Sequence, residues 1–184
     1  DQFFYEDNGK KYMFWGSFRG IYATELTDNG LEIKKKTDGT PVLKKRICGN
    51  RFEGTNIYKR GEYYYLFASI GTCCNGATST YQTVVGRSKN VLGPYLDKTG
   101  RDMLYDYCEI IMSGNETWAG PGHNSILIQD DVGTDWIIYH GYKKKEAENG
   151  RYVLMDKLIW SNDGWPSVKS NAPSILEVAP YFQK

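Results

Sequence analysis

Three aromatic-rich hairpins constrain this 184-residue chain more than any other feature. The first runs Phe4-Tyr5-Glu6-Asp7-Asn8-Gly9-Lys10-Lys11-Tyr12-Met13-Phe14-Trp15, the second spans residues 57–69, and the third spans residues 126–140. Each reads as a strand, a tight Gly-containing turn and a second strand rich in Tyr, Phe, Trp or Ile, which is the pattern of a β-hairpin. At least one more strand-like run follows each, at residues 21–27, 80–88 and 152–160. Helical periodicity is nearly absent. Small antiparallel sheets recurring every ~50 to 70 residues are the mark of propeller blades. The expected fold class is therefore all-β, a β-propeller with about three blades here, with blade-like repeats at about 1–50, 51–118 and 119–184 of a single partial domain. A β-sandwich is the runner-up. Because propellers have four to eight blades and open sheet edges invite pairing, N-terminal blades or another copy are expected to complete the structure.

Composition narrows the function. A net charge of +1 argues against a nucleic-acid binder, which carries a clear basic excess. The lysine runs at 34–36 and 143–145 read as solvated loops. No stretch approaches the ~20 apolar residues of a membrane span. The chain opens on Asp1 and enters Phe3-Phe4-Tyr5 at once, as a segment of a larger protein would, so export of the parent is not legible from it. Of the four cysteines, Cys73 and Cys74 are adjacent and could close only a strained small ring, so two free thiols are expected there. A Cys48–Cys108 bridge stays open, and the spacing fits no zinc motif.

The repeats also align chemistry. Asp1 stands eight residues before Gly9, and Glu53 eight before Gly61. With a turn longer by two residues, His123 stands ten before Gly133. In a propeller the leading strand of each blade lines the central channel, so two carboxylates and an imidazole are expected around one cavity, a constellation suited to acid/base hydrolysis.

At these residues the sequence resembles glycoside hydrolase family 43, the five-bladed propellers that include arabinanases, arabinofuranosidases and xylosidases. The likeness is densest in Phe52-Glu53-Gly54-Thr55-Asn56-Ile57, and continues in Gly86-Arg87-Ser88 with Gly93-Pro94-Tyr95, in Gly120-Pro121-Gly122-His123-Asn124-Ser125, and from Asp1 to Phe18. "GSF" and "GHNS" look more like arabinanases than xylosidases. The resemblance implies Glu53 as general acid and Asp1 as the aspartate that tunes and orients it. It implies that His123 approaches a channel ion, usually calcium, held largely through water. The family's general base lies in an earlier blade. Asp7, Asp28, Asp38 and Asp106 sit in turns or loops by pattern and do not replace it. The implied reaction is inverting hydrolysis of pentosan, α-1,5-L-arabinan first, by a parent that is secreted or periplasmic, with an oligo- or polysaccharide as the partner. The isolated chain, lacking the base, is expected to be weak or inactive.

Sugar subsites favour aromatics, and Trp15, Phe18, Trp118 and Tyr139 are the candidates; Trp136 and Trp160 read as core. Arg87 is either a ligand of a sugar hydroxyl or channel carboxylate, or a surface arginine. Two competing functions stay open. One is a non-catalytic carbohydrate-binding or scaffold propeller. The other is an unrelated all-β interaction domain, in which Asp1, Glu53 and His123 would not converge.

Overall fold

The computed structural model describes residues 1–183, and strands dominate it. Strands β1 (Gln2–Asp7), β2 (Lys10–Trp15), β3 (Ile21–Glu25) and β4 (Lys45–Cys48) form one antiparallel sheet in that order. The β1–β2 turn is Asn8-Gly9, with φ of 49° and 76°. Two successive positive φ values match the right-handed twist of the flanking strands, which is why Asn-Gly closes hairpins so often. A second four-stranded sheet is ordered β5 (Glu53–Arg60), β6 (Tyr63–Ile70), β7 (Gln82–Ser88) and β8 (Glu109–Met112). Its first turn uses Gly61, at φ 58°.

In the third sheet, β9 (Trp118–Gly122) and β10 (Ile128–Gln129) both pair with β11 (Asp135–Lys143), and β12 (Arg151–Lys157) lies on the other side of β11. The inner strand is thus interrupted between Gly122 and Ile128. The hairpin read at residues 126–140 captures only its second half. The interruption begins at His123, whose φ of 51° is left-handed. That conformation is rare for a residue with a side chain, and it turns the backbone out of the ladder. A two-stranded ribbon, β13 (Ile159–Trp160) with β14 (Pro166–Ser167), follows.

The chain divides into two compact units, residues 1–67 with 85–109, and residues 68–84 with the chain from 110 onward. In the first, period-2 alternation sends Tyr12 and Phe14 of β2 into the core while Met13 and Trp15 face the other way. The covered face packs against β5, and Ile21, Phe52, Leu66, Phe67, Val85 and Tyr95 complete that core. The core of the second unit is built on Tyr81, Val84, Met112, Trp136 and Ile137, all buried. Trp136 and Trp160 are tethered as structural residues, their Nε1 groups donating to Asp130 and Asp135 at 3.0 and 2.7 Å.

One cysteine expectation is reversed. Cys73 and Cys74 are joined in a disulfide, and Cys48 and Cys108 are free. The bridged pair lies in the loop between β6 and β7. Burial pushes the Cys48 thiol well above its usual range and Cys108 up to about 11.

Candidate active site

The acid side of the site is assembled at the start of β5. Glu53 is the first residue of that strand and only 8% exposed. Two neighbours fix it. The Ser17 hydroxyl donates to Glu53 Oε2 at 2.7 Å, and the Asp1 carboxylate accepts the N–H of the next residue, Gly54, at 3.1 Å. The two carboxylates are therefore held at one strand start, with Asp1 anchored on the backbone that carries Glu53.

Ser17 reaches Glu53 because residues 16–20 form a tight loop. A Cβ on Gly16, at φ 135°, would lie 2.0 Å from the Gly20 carbonyl oxygen, so only glycine allows the closure. The Gly16 N–H donates to the Asp1 carbonyl at 3.1 Å, and the Phe18 N–H donates to the Phe52 carbonyl at 2.9 Å. The loop is thus stitched both to the residue before β1 and to the residue before β5. Phe18, at φ 50° and 40% exposed, stands one residue beyond the serine that bonds Glu53 and is tied by its N–H to the residue before Glu53. The Gly-Ser-Phe motif is visible in the sequence, but nothing local to it assigns the serine. Its hydroxyl is recognisable as a site group only once the loop is folded.

His123 belongs to a ring cluster in the second unit. Its N–H donates to Ser69 Oγ at 2.7 Å, and its Nδ1 lies 3.5 Å from the Tyr81 hydroxyl. Its ring stacks on His140 at 6.1 Å, and His140 stacks on Tyr81 at 5.9 Å. The glycines around Pro121 are required by this packing. A Cβ on Gly122 would lie 2.4 Å from the Tyr81 ring, and one on Gly120 2.6 Å from Ser79 Cβ. His123 itself is exposed. Unlike Asp1 and Glu53, it does not stand at a strand start; it follows β9.

Calcium takes six to eight oxygen ligands. Among the described residues no group of three or more His, Cys, Asp or Glu is placed to hold a metal ion. A serine, a tyrosine and a histidine are among the side chains around His123.

Four candidate sugar contacts are placed elsewhere. Trp15 lies on the sheet face opposite buried Phe14, stacks on Tyr22 at 5.9 Å, and lines a groove of about 290 Å³ with Met13, Leu26, Leu31 and Ile33. Strand alternation turns it away from the covered side. Trp118 opens β9 at 9% exposure, edge-on to Tyr152 at 5.9 Å, at the end of the strand remote from His123. Tyr139 is 3% exposed, and its hydroxyl donates to Asp156. Burial and then that carboxylate push the phenol far above its usual range, so it stays a neutral donor inside the core. Arg87 lies over the Tyr63 ring at 4.5 Å. Tyr63 follows the β5–β6 turn, so it stands at the far end of β5 from Glu53, about 23 Å along the strand at ~3.3 Å per residue.

Two carboxylates and a serine donor thus meet at a glycine-shaped strand start, on repeated four-stranded sheets. Residues 1–166 match glycosyl hydrolases family 43, and the chain belongs to that family. It is 36% identical over 173 residues to an extracellular exo-α-(1→5)-L-arabinofuranosidase of Cellvibrio japonicus, covering 89% of this chain and 49% of that protein. It is 35% identical over 165 residues to extracellular endo-α-(1→5)-L-arabinanase 1 of Bacillus subtilis, with 89% and 48% coverage. Among solved structures, the α-L-arabinanase of Cellvibrio cellulosa in complex with arabinohexaose superposes with a TM-score of 0.76 at 34% identity, covering 92% of this chain and 56% of that one. An exo-1,5-α-L-arabinanase from a bovine ruminal metagenomic library gives 0.77 at 36% identity with the same coverage. The all-β, β-propeller fold class read from the repeats is borne out by these matches. The chain spans about half the length of the curated relatives it matches.

Proposed function

We propose that this protein serves the hydrolysis of α-1,5-linked L-arabinan by an inverting mechanism, with Glu53 as general acid. The observation that carries the reading is the start of β5, where a nearly buried Glu53 is oriented by Ser17 while the Asp1 carboxylate binds the adjoining N–H. In the proposed step, Glu53 gives its proton to the leaving glycosidic oxygen as the bond to the anomeric carbon breaks. A second carboxylate on the opposite face takes a proton from the attacking water, so the configuration inverts. Asp1 is a positioning residue for the acid. Inverting pairs stand ~6.5 to 9.5 Å apart to admit that water. Asp7, Asp38 and Asp106 accept bonds from Tyr64, Thr40 and Arg51, and Asp28 lies in the turn after β3. The base is accordingly assigned to the part of the relatives' length that this chain does not span, and the chain alone is weak or inactive.

The relatives named extracellular support a secreted parent, and the arabinohexaose complex of the Cellvibrio neighbour supports an arabino-oligosaccharide as substrate. A calcium ion near His123 enters the proposal as one held largely through water. The test is sugar release from linear arabinan by the chain with calcium, beside its Glu53→Gln variant. Background release from both is expected. Release that depends on Glu53 would show that these residues, or a second copy, furnish the base. Release well above background and equal in both would remove Glu53 as the acid. Binding of arabinan without turnover in a protein extended to its relatives' length would favour the non-catalytic sugar-binding reading.

A further inference from the structure

Between β6 and β7, residues 71–80 form a loop that carries the Cys73–Cys74 disulfide. Its neck is closed by a threonine pair. Thr72 and Thr80 exchange side-chain and backbone bonds, with Oγ1···Oγ1 at 2.9 Å and each N–H on the other's hydroxyl at 3.1 and 3.2 Å. A Cβ on Gly71, at φ 88°, would lie 2.5 Å from the Thr80 carbonyl oxygen, so the neck closes only around glycine. Inside the loop, the Asn75 N–H donates to Ser79 Oγ at 2.9 Å, and the Thr78 hydroxyl donates to the Asn75 carbonyl at 2.9 Å. Ser79 is buried against Gly120, and Gly76 approaches Ala147. The loop is therefore fixed on all sides, while Cys74 is exposed and Cys73 half-buried.

Both feet of this loop hold His123. Ser69, two residues before Gly71, accepts its N–H, and Tyr81, one residue after Thr80, faces its Nδ1. The disulfide is presented on the loop rooted at the one exposed imidazole of the chain's aligned polar positions. Closing the two thiols into a bridge removes their S–H donors. What remains is a small, polarizable, apolar surface bordered by the hydroxyls of Thr72 and Thr80. A ring sugar offers the matching chemistry, with one face rich in C–H bonds and a rim of hydroxyls. Binding sites of this kind combine an apolar floor with a few placed polar groups.

We propose that the Cys73–Cys74 disulfide is a sugar-contact platform, against which the C–H face of a pentose unit of the substrate packs. The inference rests on the arabinan reading above and adds to it a binding element outside the acid machinery. The rigid loop presents the platform without further ordering on binding, which is where a short hydrogen-bonded loop gains over a mobile one.

The test is a titration of the full oxidised chain with arabinohexaose, followed by calorimetry or by NMR of the 71–81 amides. It is repeated on Cys73→Ala/Cys74→Ala and on the wild-type chain reduced with a phosphine. The reduced wild type keeps its sequence, so a folding defect of the double variant does not decide the result. Affinity at least tenfold weaker in both, with the amide shifts lost, is the expected outcome. Equal affinity in all three overturns the platform while the arabinan reading stands. Absence of any arabinohexaose binding to the oxidised chain overturns both, whereas disulfide-dependent binding of xylohexaose in its place keeps the platform and overturns arabinan as its ligand.

Discussion

Replacing Tyr139 by Phe separates a core tyrosine from a sugar-binding one. Tyr139 is 3% exposed and its hydroxyl donates to Asp156, itself 2% exposed. The other bonds recorded to that carboxylate come from the Ser174 N–H, at 3.3 Å to each oxygen. Phe fills the same space, so no cavity forms, and the loss is confined to one hydrogen bond on a buried carboxylate. A hydrogen bond to a charged group contributes about 1.5–3 kcal/mol. For a domain of this size each kcal/mol shifts the midpoint by about 2–4 °C, so Tyr139→Phe should lower Tm by about 3–12 °C. Thermal unfolding followed by circular dichroism at neutral pH reads this directly. The same change in an Asp156→Asn background should cost less, because the remaining partner is uncharged, and the cycle isolates the pair. Arabinohexaose affinity should not move in either background. An unchanged Tm with weakened sugar binding would refute the core assignment and return Tyr139 to the subsites.

Two further outcomes are expected. Burial raises the Asp97 carboxyl, but bonds from the Arg101 N–H, Thr99 and the Arg101 side chain outweigh it and leave it below its ordinary value of 3.8. A depressed folded value gives stability that is present above 3.8 and lost as pH falls through the folded value, so in urea titrations the deficit of Asp97→Asn should be full at neutral pH and shrink as pH falls below 3.8. A deficit independent of pH would contradict this. For the cysteines, alkylation of the unfolded chain without reductant should label Cys48 and Cys108 alone, and reduction should add Cys73 and Cys74. Labelling of all four without reductant, read by mass spectrometry, would refute the disulfide.

Much of the fold was legible because hairpins are local. The Asn8-Gly9 turn and the alternation of Tyr12, Met13, Phe14 and Trp15 specify β1 and β2 with no knowledge of the rest of the chain. Period-2 patterning shows that Phe14 and Trp15 face opposite ways; only packing decides which face is covered. That is why Trp15 reads as a site aromatic in sequence and lies in an apolar groove in the structure. Tyr139 lies in the core for a related reason. An amphipathic aromatic suits a sugar site and a hydrogen-bonded core equally well, and the partner that settles Tyr139 is Asp156, seventeen residues away.

The sequence by itself determined the hairpin repeat, the all-β class and the family, because these rest on short-range patterns and contiguous motifs. It also marked Glu53 and Asp1 by their common offset from the turn glycines. Tertiary structure alone decided that Asp1 binds the backbone beside Glu53, that the Ser17 hydroxyl donates to Glu53, and that the adjacent cysteines pair. Each of these depends on loop closure: the Gly16–Gly20 contact delivers a hydroxyl across 36 residues, and the Thr72–Thr80 clamp fixes the backbone on which two neighbouring sulfurs meet. Such closures are set by where distant strands end, which no local pattern records.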